Sequence, residues 1–258
     1  MHIHVQETKD ELVNSMTGNR QGKACHCSDA HCSPIENMAR LGYLDNACCA
    51  HCVHVTDKDI TLLAAHSASV VHCPNSNMKL GSGICPVQRM LDAGVNVCLG
   101  TDSACSNNNL DMFMEMRNAA LLGKVASNDP QACSASTVLA MATVNAAKAL
   151  GLEGKLGAVQ AGMRADVIAV DMDCVEVWPL SNILSHLVYA CGRSQWAWRR
   201  WVTRRVTDVW VSGKQLMRER ELTTLKMDEL RAIGEKWEMI LREFKAGKEW
   251  TVCGTNAH

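Results

Sequence analysis

The chain has 258 residues, 47% of them hydrophobic, with a formal charge of −1 and 14 cysteines. That length and apolar content support a sizeable buried core, while the near-neutral charge gives no global bias toward nucleic acid or anionic membrane. No apolar run approaches the ~20 residues that span a bilayer, Met1 leads into His2 and His4 rather than into a basic then apolar leader, and the cytoplasm is the expected compartment.

The first apolar run, Met1 to Ile3, delivers His4, with Glu7 three residues further on. Taken alone, Glu7 reads as an acidic residue in the first turn of a helix containing Glu11 and Val13, where it favours the positive end of the helix dipole. Cys25-His26-Cys27 with His31-Cys32 is a dense cluster. Its C-x-C-x4-C spacing is not that of a usual finger, so a polar surface loop stands beside a structural zinc as a reading. The cysteines in apolar segments, such as Cys48, Cys49 and Cys98, read as small buried hydrophobes in a reducing compartment.

Ala47 to Ala50 leads to His51, and Thr56 with Asp59 resembles a capping box before a helix through Ile60 to Ala65. Ser69 to Val71 leads to His72, read as a structural residue shaping the turn Pro74-Asn75-Ser76-Asn77. Pro86 suits the first turn of a helix running through Val87, Met90 and Leu91 to Gly94. The run Val95 to Leu99 then passes through Gly100-Thr101 onto Asp102, followed by Ser106-Asn107-Asn108. An apolar run that stops on a carboxylate is how an α/β barrel brings a metal ligand to its C-terminal face, which makes Asp102 the first candidate. His51, His72 and Asp102 follow one another about 20 to 30 residues apart, as one strand plus one crossover helix per unit requires. Four such βα units are expected.

Beyond Asp102 a methionine-rich amphipathic helix is predicted from Leu110 to about Leu122, its stripe read as core. A second runs from about Ser136 to Leu150 and closes at Gly151. Lys155-Leu156-Gly157 and Ala161 to Asp166 are turn-like, Val167 to Val170 is a strand, and Val206 to Val211 forms a hairpin through Ser212-Gly213-Lys214 with Gln215-Leu216-Met217. The tail from Met227 to Phe244 is an amphipathic helix. The expected organisation is residues 1–152 barrel-like, 153–225 a small β-rich region, and 226–258 a helix and tail.

The segments His4-Val5-Gln6-Glu7-Thr8, Ala50-His51-Cys52, His72-Cys73-Pro74-Asn75-Ser76-Asn77-Met78-Lys79-Leu80 and Gly100-Thr101-Asp102 resemble, in order and spacing, the second half of an amidohydrolase-superfamily deaminase. The nearest branch is the 5-methylthioadenosine/S-adenosylhomocysteine deaminases with their chlorohydrolase-like relatives. Leu156 to Asp166 is similar to the family's return into its β-sandwich domain. The resemblance implies an α/β chain: a partial (β/α)8, TIM-type barrel lacking the first four strands, then part of a small β-sandwich and a C-terminal helix. It implies one divalent metal, zinc first, with iron, nickel and manganese as alternatives, held by His4 and Asp102. Asp102 also takes a proton from the attacking water, Glu7 protonates the substrate ring, and His51 orients the water. Glu7, Asp102 and Ser106 are the substrate-binding candidates.

The implied partner is a small purine nucleoside of the methylthioadenosine, S-adenosylhomocysteine or adenosine type, with no nucleic acid and no membrane. Guanine-like rings and triazines are neighbouring substrates, and a non-catalytic fragment acting as a subunit or binding partner is the alternative from another class. The family's His-x-His pair on its first strand has no counterpart here, since His2-Ile3-His4 with Glu7 fits the fifth strand better. Two ligands are few for a catalytic zinc. A fragment is therefore expected that binds zinc weakly alone and whose partner is a missing N-terminal half or another copy. Ser103 stands where the family usually has glycine, and Trp196 to Arg205, with tryptophan and arginine interleaved, reads as an inserted loop.

Overall fold

The computed structural model describes residues 1–17, 19–20, 23–24, 32–173, 177–191 and 206–246. Cys25, Cys27, His26 and His31, and the segment Trp196 to Arg205, lie outside the described residues. The chain divides into two compact units, Met1–Met163 with Asp173–Trp198, and Arg164–Met172 with Arg199–His258.

In the first unit, β1 (His2–Val5) is followed by α1 (Lys9–Thr17), the two-residue strands β2 (Asn19–Arg20) and β3 (Lys23–Ala24), and α2 (Pro34–Arg40). Then come β4 (Cys48–His51), α3 (Asp57–Ala65), β5 (Ser69–His72), α4 (Pro74–Lys79), α5 (Val87–Asp92) and β6 (Asn96–Leu99). β1, β4, β5 and β6 form one parallel sheet in chain order. A doubly wound sheet reverses its order at a switch point, whereas strands laid down in sequence with helical crossovers are the pattern of a TIM-type barrel, here in part. In register, Val5 sits level with His51, and His72 with Leu99, so the strand ends share one rim.

Alternation decides which face is core. Val5, Cys49, Val70, Val97 and Leu99 join Ile60, Leu63, Met90, Met116 and Ala119 in one buried cluster with the helices. The intervening His4, Ala50, Val71 and Cys98 occupy the other face of the sheet. The expected capping box at Thr56 and Asp59 is formed on both sides, and a second one, Ser33 with Glu36, opens α2.

Three expectations need correction. Pro74 to Asn77 is not a turn but the start of α4, because Pro74 lacks the N–H that a helix's first turn leaves unpaired. The methionine-rich helix begins later and runs further, as α7 (Met112–Ser127), since Asp111 caps it by accepting the Phe113 N–H. Before it lies the short α6 (Ala104–Asn107). The helix expected over 136–150 is two, α8 (Ala135–Ala142) and α9 (Val144–Ala149), broken at Thr143 with φ −128° and ψ −92°. Gly157 passes the break so closely that a Cβ there would lie 2.9 Å from the Val144 Cα. The unit also contains α10 (Ile183–Tyr189).

The second unit is an antiparallel sheet, in the order β10-β9-β8-β7, of β7 (Val167–Val170), β8 (Val206–Val211), β9 (Lys214–Arg218) and β10 (Glu221–Leu222), followed by α11 (Met227–Ala246). The expected hairpin is present: Ser212 and Gly213 both have positive φ, as a type I′ turn requires. Among the described residues no helix is long and apolar enough to cross a membrane.

Packing between α7 and the segment leading into α8 is close enough to test. A Cβ on Gly123 would meet the Cys133 Sγ at 2.4 Å and its Cβ at 2.7 Å. Gly123→Ala should therefore lower stability by about 1 to 3 kcal/mol in urea unfolding, against the gain in helix propensity that alanine brings in an open position.

Candidate metal centre and active site

One ligand atom from each of His4, His51 and Asp102 lies within 4.8 Å of the others. His4 Nε2 is 3.6 Å from Asp102 Oδ1, and the two imidazole centroids are 5.1 Å apart. The three come from different strand ends: His4 within β1, His51 closing β4, and Asp102 three residues past β6. His51 (φ 71°) and Asp102 (φ 57°) are both in the left-handed region, as are Gln6 (φ 52°) and Cys52 (φ 45°) beside them. Non-glycine residues there carry strain of order 1 kcal/mol or more each, and such positions concentrate at functional sites. Gly100 permits the close approach of this rim, since a Cβ there would run into Val71 at 2.8 Å.

Asp102 is held from one side. Its Oδ2 accepts hydrogen bonds from Ser76 Oγ at 2.7 Å and Ser106 Oγ at 2.5 Å, leaving Oδ1 toward His4. Burial pushes the carboxyl pKa up, but the bonds from Ser106, Ser76 and the Ser103 backbone, with His51 nearby, outweigh it and bring the pKa down to about 2. The group is thus ionised throughout the neutral range. Ser106, a substrate-binding candidate, has its hydroxyl committed to Asp102. Ser103 fits its place without glycine's freedom: its φ is −79°, and its side chain caps α6.

His51 is almost fully buried, at 1% exposure, while the His4 side chain is 66% exposed. Asn77 Oδ1 can only accept, so His51 Nδ1 at 2.8 Å donates, which turns Nε2 toward the site. Glu7 Oε2 is 3.7 Å from that Nε2, and Ser82 Oγ donates to Glu7 Oε1 at 3.2 Å. Glu7 therefore does not act as a first-turn residue of α1. That part belongs to Glu11, whose carboxylate accepts the backbone N–H groups of Gln6 and Glu7 at 2.9 and 3.0 Å and fixes the turn on which Glu7 sits. His72, buried behind His51, is held neutral, its pKa pushed down to about 3 by burial and by the neighbouring imidazole. Its Nδ1 and the Asn77 Nδ2 are buried without a hydrogen-bond partner.

Several supporting roles escaped sequence reasoning, which read Asp59 as a capping residue only. Gln6 and Asp59 are fully buried, and Gln6 Nε2 donates to Asp59 Oδ2 at 3.1 Å and to the His54 carbonyl at 2.6 Å. Asp59 also accepts from the Thr56 N–H and hydroxyl, each at 2.8 Å, and from Ser33. Glu115 is fully buried on α7 and accepts from Asn75 and Asn107. Burial raises its pKa despite those donors. The one available signal was a lone acid inside the apolar stretch Met112-Phe113-Met114-Glu115-Met116.

The Amidohydrolase family model matches residues 1–216. The 5-methylthioadenosine/S-adenosylhomocysteine deaminase of Teredinibacter turnerae is 43% identical over 240 residues, covering 92% of this chain and 49% of its own length. That of Moorella thermoacetica is 43% identical over 233 residues, covering 90% and 50%. Among solved structures, an adenosine deaminase from Xanthomonas campestris with bound zinc superposes with a TM-score of 0.81 at 36% identity, over 94% of this chain and 51% of its own. Atrazine chlorohydrolase from Arthrobacter aurescens, complexed with zinc, reaches 0.75 at 23% identity, a likeness of fold alone. The chain thus spans about half the length of the curated relatives it matches.

The two serines behind Asp102 give a titration test. Ser76→Ala with Ser106→Ala should move the Asp102 carboxyl midpoint, followed by 13C NMR, up from about 2 toward the ordinary 3.8. Because the folded-state pKa is depressed, the stabilisation it carries in the parent is complete above pH 3.8 and is lost as pH falls toward 2. The double variant should lose that pH dependence, and an unmoved midpoint would contradict the assignment.

Proposed function

This chain belongs to the amidohydrolase family, and from that premise we propose that it supplies the metal-binding and proton-transferring residues of a hydrolytic deaminase acting on adenine nucleosides. The observation that carries the reading is the convergence of His4, His51 and Asp102 from three strand ends within 4.8 Å. The names and bound zinc of the relatives support it. In this reading the barrel portion is residues 1–152, to be completed by a half that this chain does not span. The β-sandwich portion lies within residues 153–225, apart from α10, which belongs to the first unit, and 226–258 are the helix and tail.

The donor set fits a divalent ion. An imidazole and an ionised carboxylate suit zinc, so His4 Nε2 and Asp102 Oδ1, 3.6 Å apart, would hold the ion, with His51 beside them. Such an ion supplies a Lewis acid that lowers the pKa of water toward ~7. Asp102, ionised, takes one proton of the attacking water and returns it to the amino group, which leaves as ammonia, while the second water proton replaces the one that Glu7 gives to the ring. His51 Nε2, fixed by the Nδ1 bond to Asn77, orients that water as an acceptor. Glu7 stands beside His51, held by Ser82, and delivers a proton to the ring nitrogen that gains electron density when water adds at the amino-bearing carbon. Ser106 acts through Asp102 rather than by contacting substrate.

Equilibrium dialysis should find weak zinc binding by this chain, lost in His4→Ala and Asp102→Ala. Mixed with the N-terminal half of the Teredinibacter relative, the chain should convert adenosine or methylthioadenosine to the deaminated product, read by chromatography. Asp102→Asn should lower kcat by about 10²- to 10⁴-fold. A metal-loaded mixture that forms no product from either nucleoside would overturn the reading.

A further inference from the structure

The residues that hold Asp102 and His51 adjoin, along the chain, residues bonded to one buried side chain. Asp102 Oδ2 is held by Ser76 and Ser106, and His51 Nδ1 by Asn77. Asn75, which adjoins Ser76, donates its backbone N–H to Glu115 Oε2 at 3.2 Å and its side-chain amide to Oε1 at 2.8 Å. Asn107, which adjoins Ser106, donates to Glu115 Oε1 at 2.7 Å and to the carbonyl of Thr101, next to Asp102, at 2.6 Å. Asn118, one turn along α7 from Glu115, donates to Asn75 in turn. Glu115 itself is 0% exposed, and the side chains bonded to it are those of Asn75 and Asn107, not of His4, His51 or Asp102.

We propose that Glu115 is a positioning residue: its carboxylate ties the start of α4 to the end of α6 and so sets the placement of Asp102 against His51. The inference rests on the functional reading above. Packing alone does not ask for a carboxylate here, since an apolar residue fills a buried helix position at no desolvation cost. What the position does ask for is acceptors. Three N–H donors converge on it, and only a carboxylate meets all three, because a glutamine would turn an NH2 group toward a donor. The alternative is that Glu115 contributes stability and nothing more.

Cobalt(II) titrated into the full chain serves as the probe, read by visible absorption. Glu115→Gln should bind about 10- to 100-fold more weakly than the parent and with an altered spectrum, the size expected when a partner behind a ligand is lost. Asn107→Ala should shift both in the same direction, and decides the matter if Glu115→Gln does not fold. Met141→Ala, a truncation of a fully buried core residue on α8, should leave affinity and spectrum unchanged although it lowers stability. A second, metal-free arm follows the His51 Nδ1–H by proton NMR, slowly exchanging in the parent and in Met141→Ala and lost in Glu115→Gln and Asn107→Ala. Parent-like cobalt binding and a retained Nδ1–H in the Glu115 and Asn107 variants would overturn the inference. Should the parent bind no cobalt, the metal reading fails, and the imidazole proton alone then supports or overturns the role of Glu115.

Discussion

A carboxylate taken out of water must be met by donors or it costs several kcal/mol, and among the described residues two are buried completely, Asp59 and Glu115. Each sits where the loops leaving two neighbouring strands meet. Asp59 gathers Thr56, Ser33 and Gln6, and through Gln6 it joins the end of β1 to the segment after β4. Glu115 gathers Asn75 and Asn107, and so joins the segment after β5 to the one after β6. The strand ends of a parallel sheet are irregular backbone with unpaired groups, and satisfying these two buried side chains gives that backbone one arrangement. The left-handed conformations of Gln6, His51 and Asp102 persist inside that frame.

The candidate centre is uneven as a result. Asp102 and His51 are each fixed by neighbours that are themselves held, and both are preorganised for what they bind. His4 lies on the edge strand β1, on the face opposite the helices, with most of its ring exposed. Affinity for a metal depends on every ligand being held, so the most exposed imidazole sets the limit within this chain.

The cysteines follow the same logic of burial. Cys49, Cys52, Cys73, Cys85, Cys98 and Cys133 are free and buried. Burial pushes the thiols of Cys73 and Cys98 up to about 12, and that of Cys85 higher still. Those three behave as small hydrophobes, as the place of Cys98 in an apolar run suggested, whereas the contact with Cys52 lowers the Cys49 thiol.

Sequence by itself determined what depends on neighbours within a turn or a strand. The capping box at Thr56, the hairpin through Ser212-Gly213-Lys214, the four strand runs and the residues that end them all follow from local spacing, and His4, His51 and Asp102 were legible for that reason. The break at Thr143, the helix in place of a turn at Pro74, and the parts played by Glu115, Gln6 and Asn77 were decided by tertiary structure. Glu115 meets Asn75 across 40 residues, and Gln6 meets Asp59 across 53. A periodicity records which side of a strand or helix is apolar, but a hydrogen bond between distant loops leaves no periodic trace. It exists only once the parallel register has brought those loops to one rim.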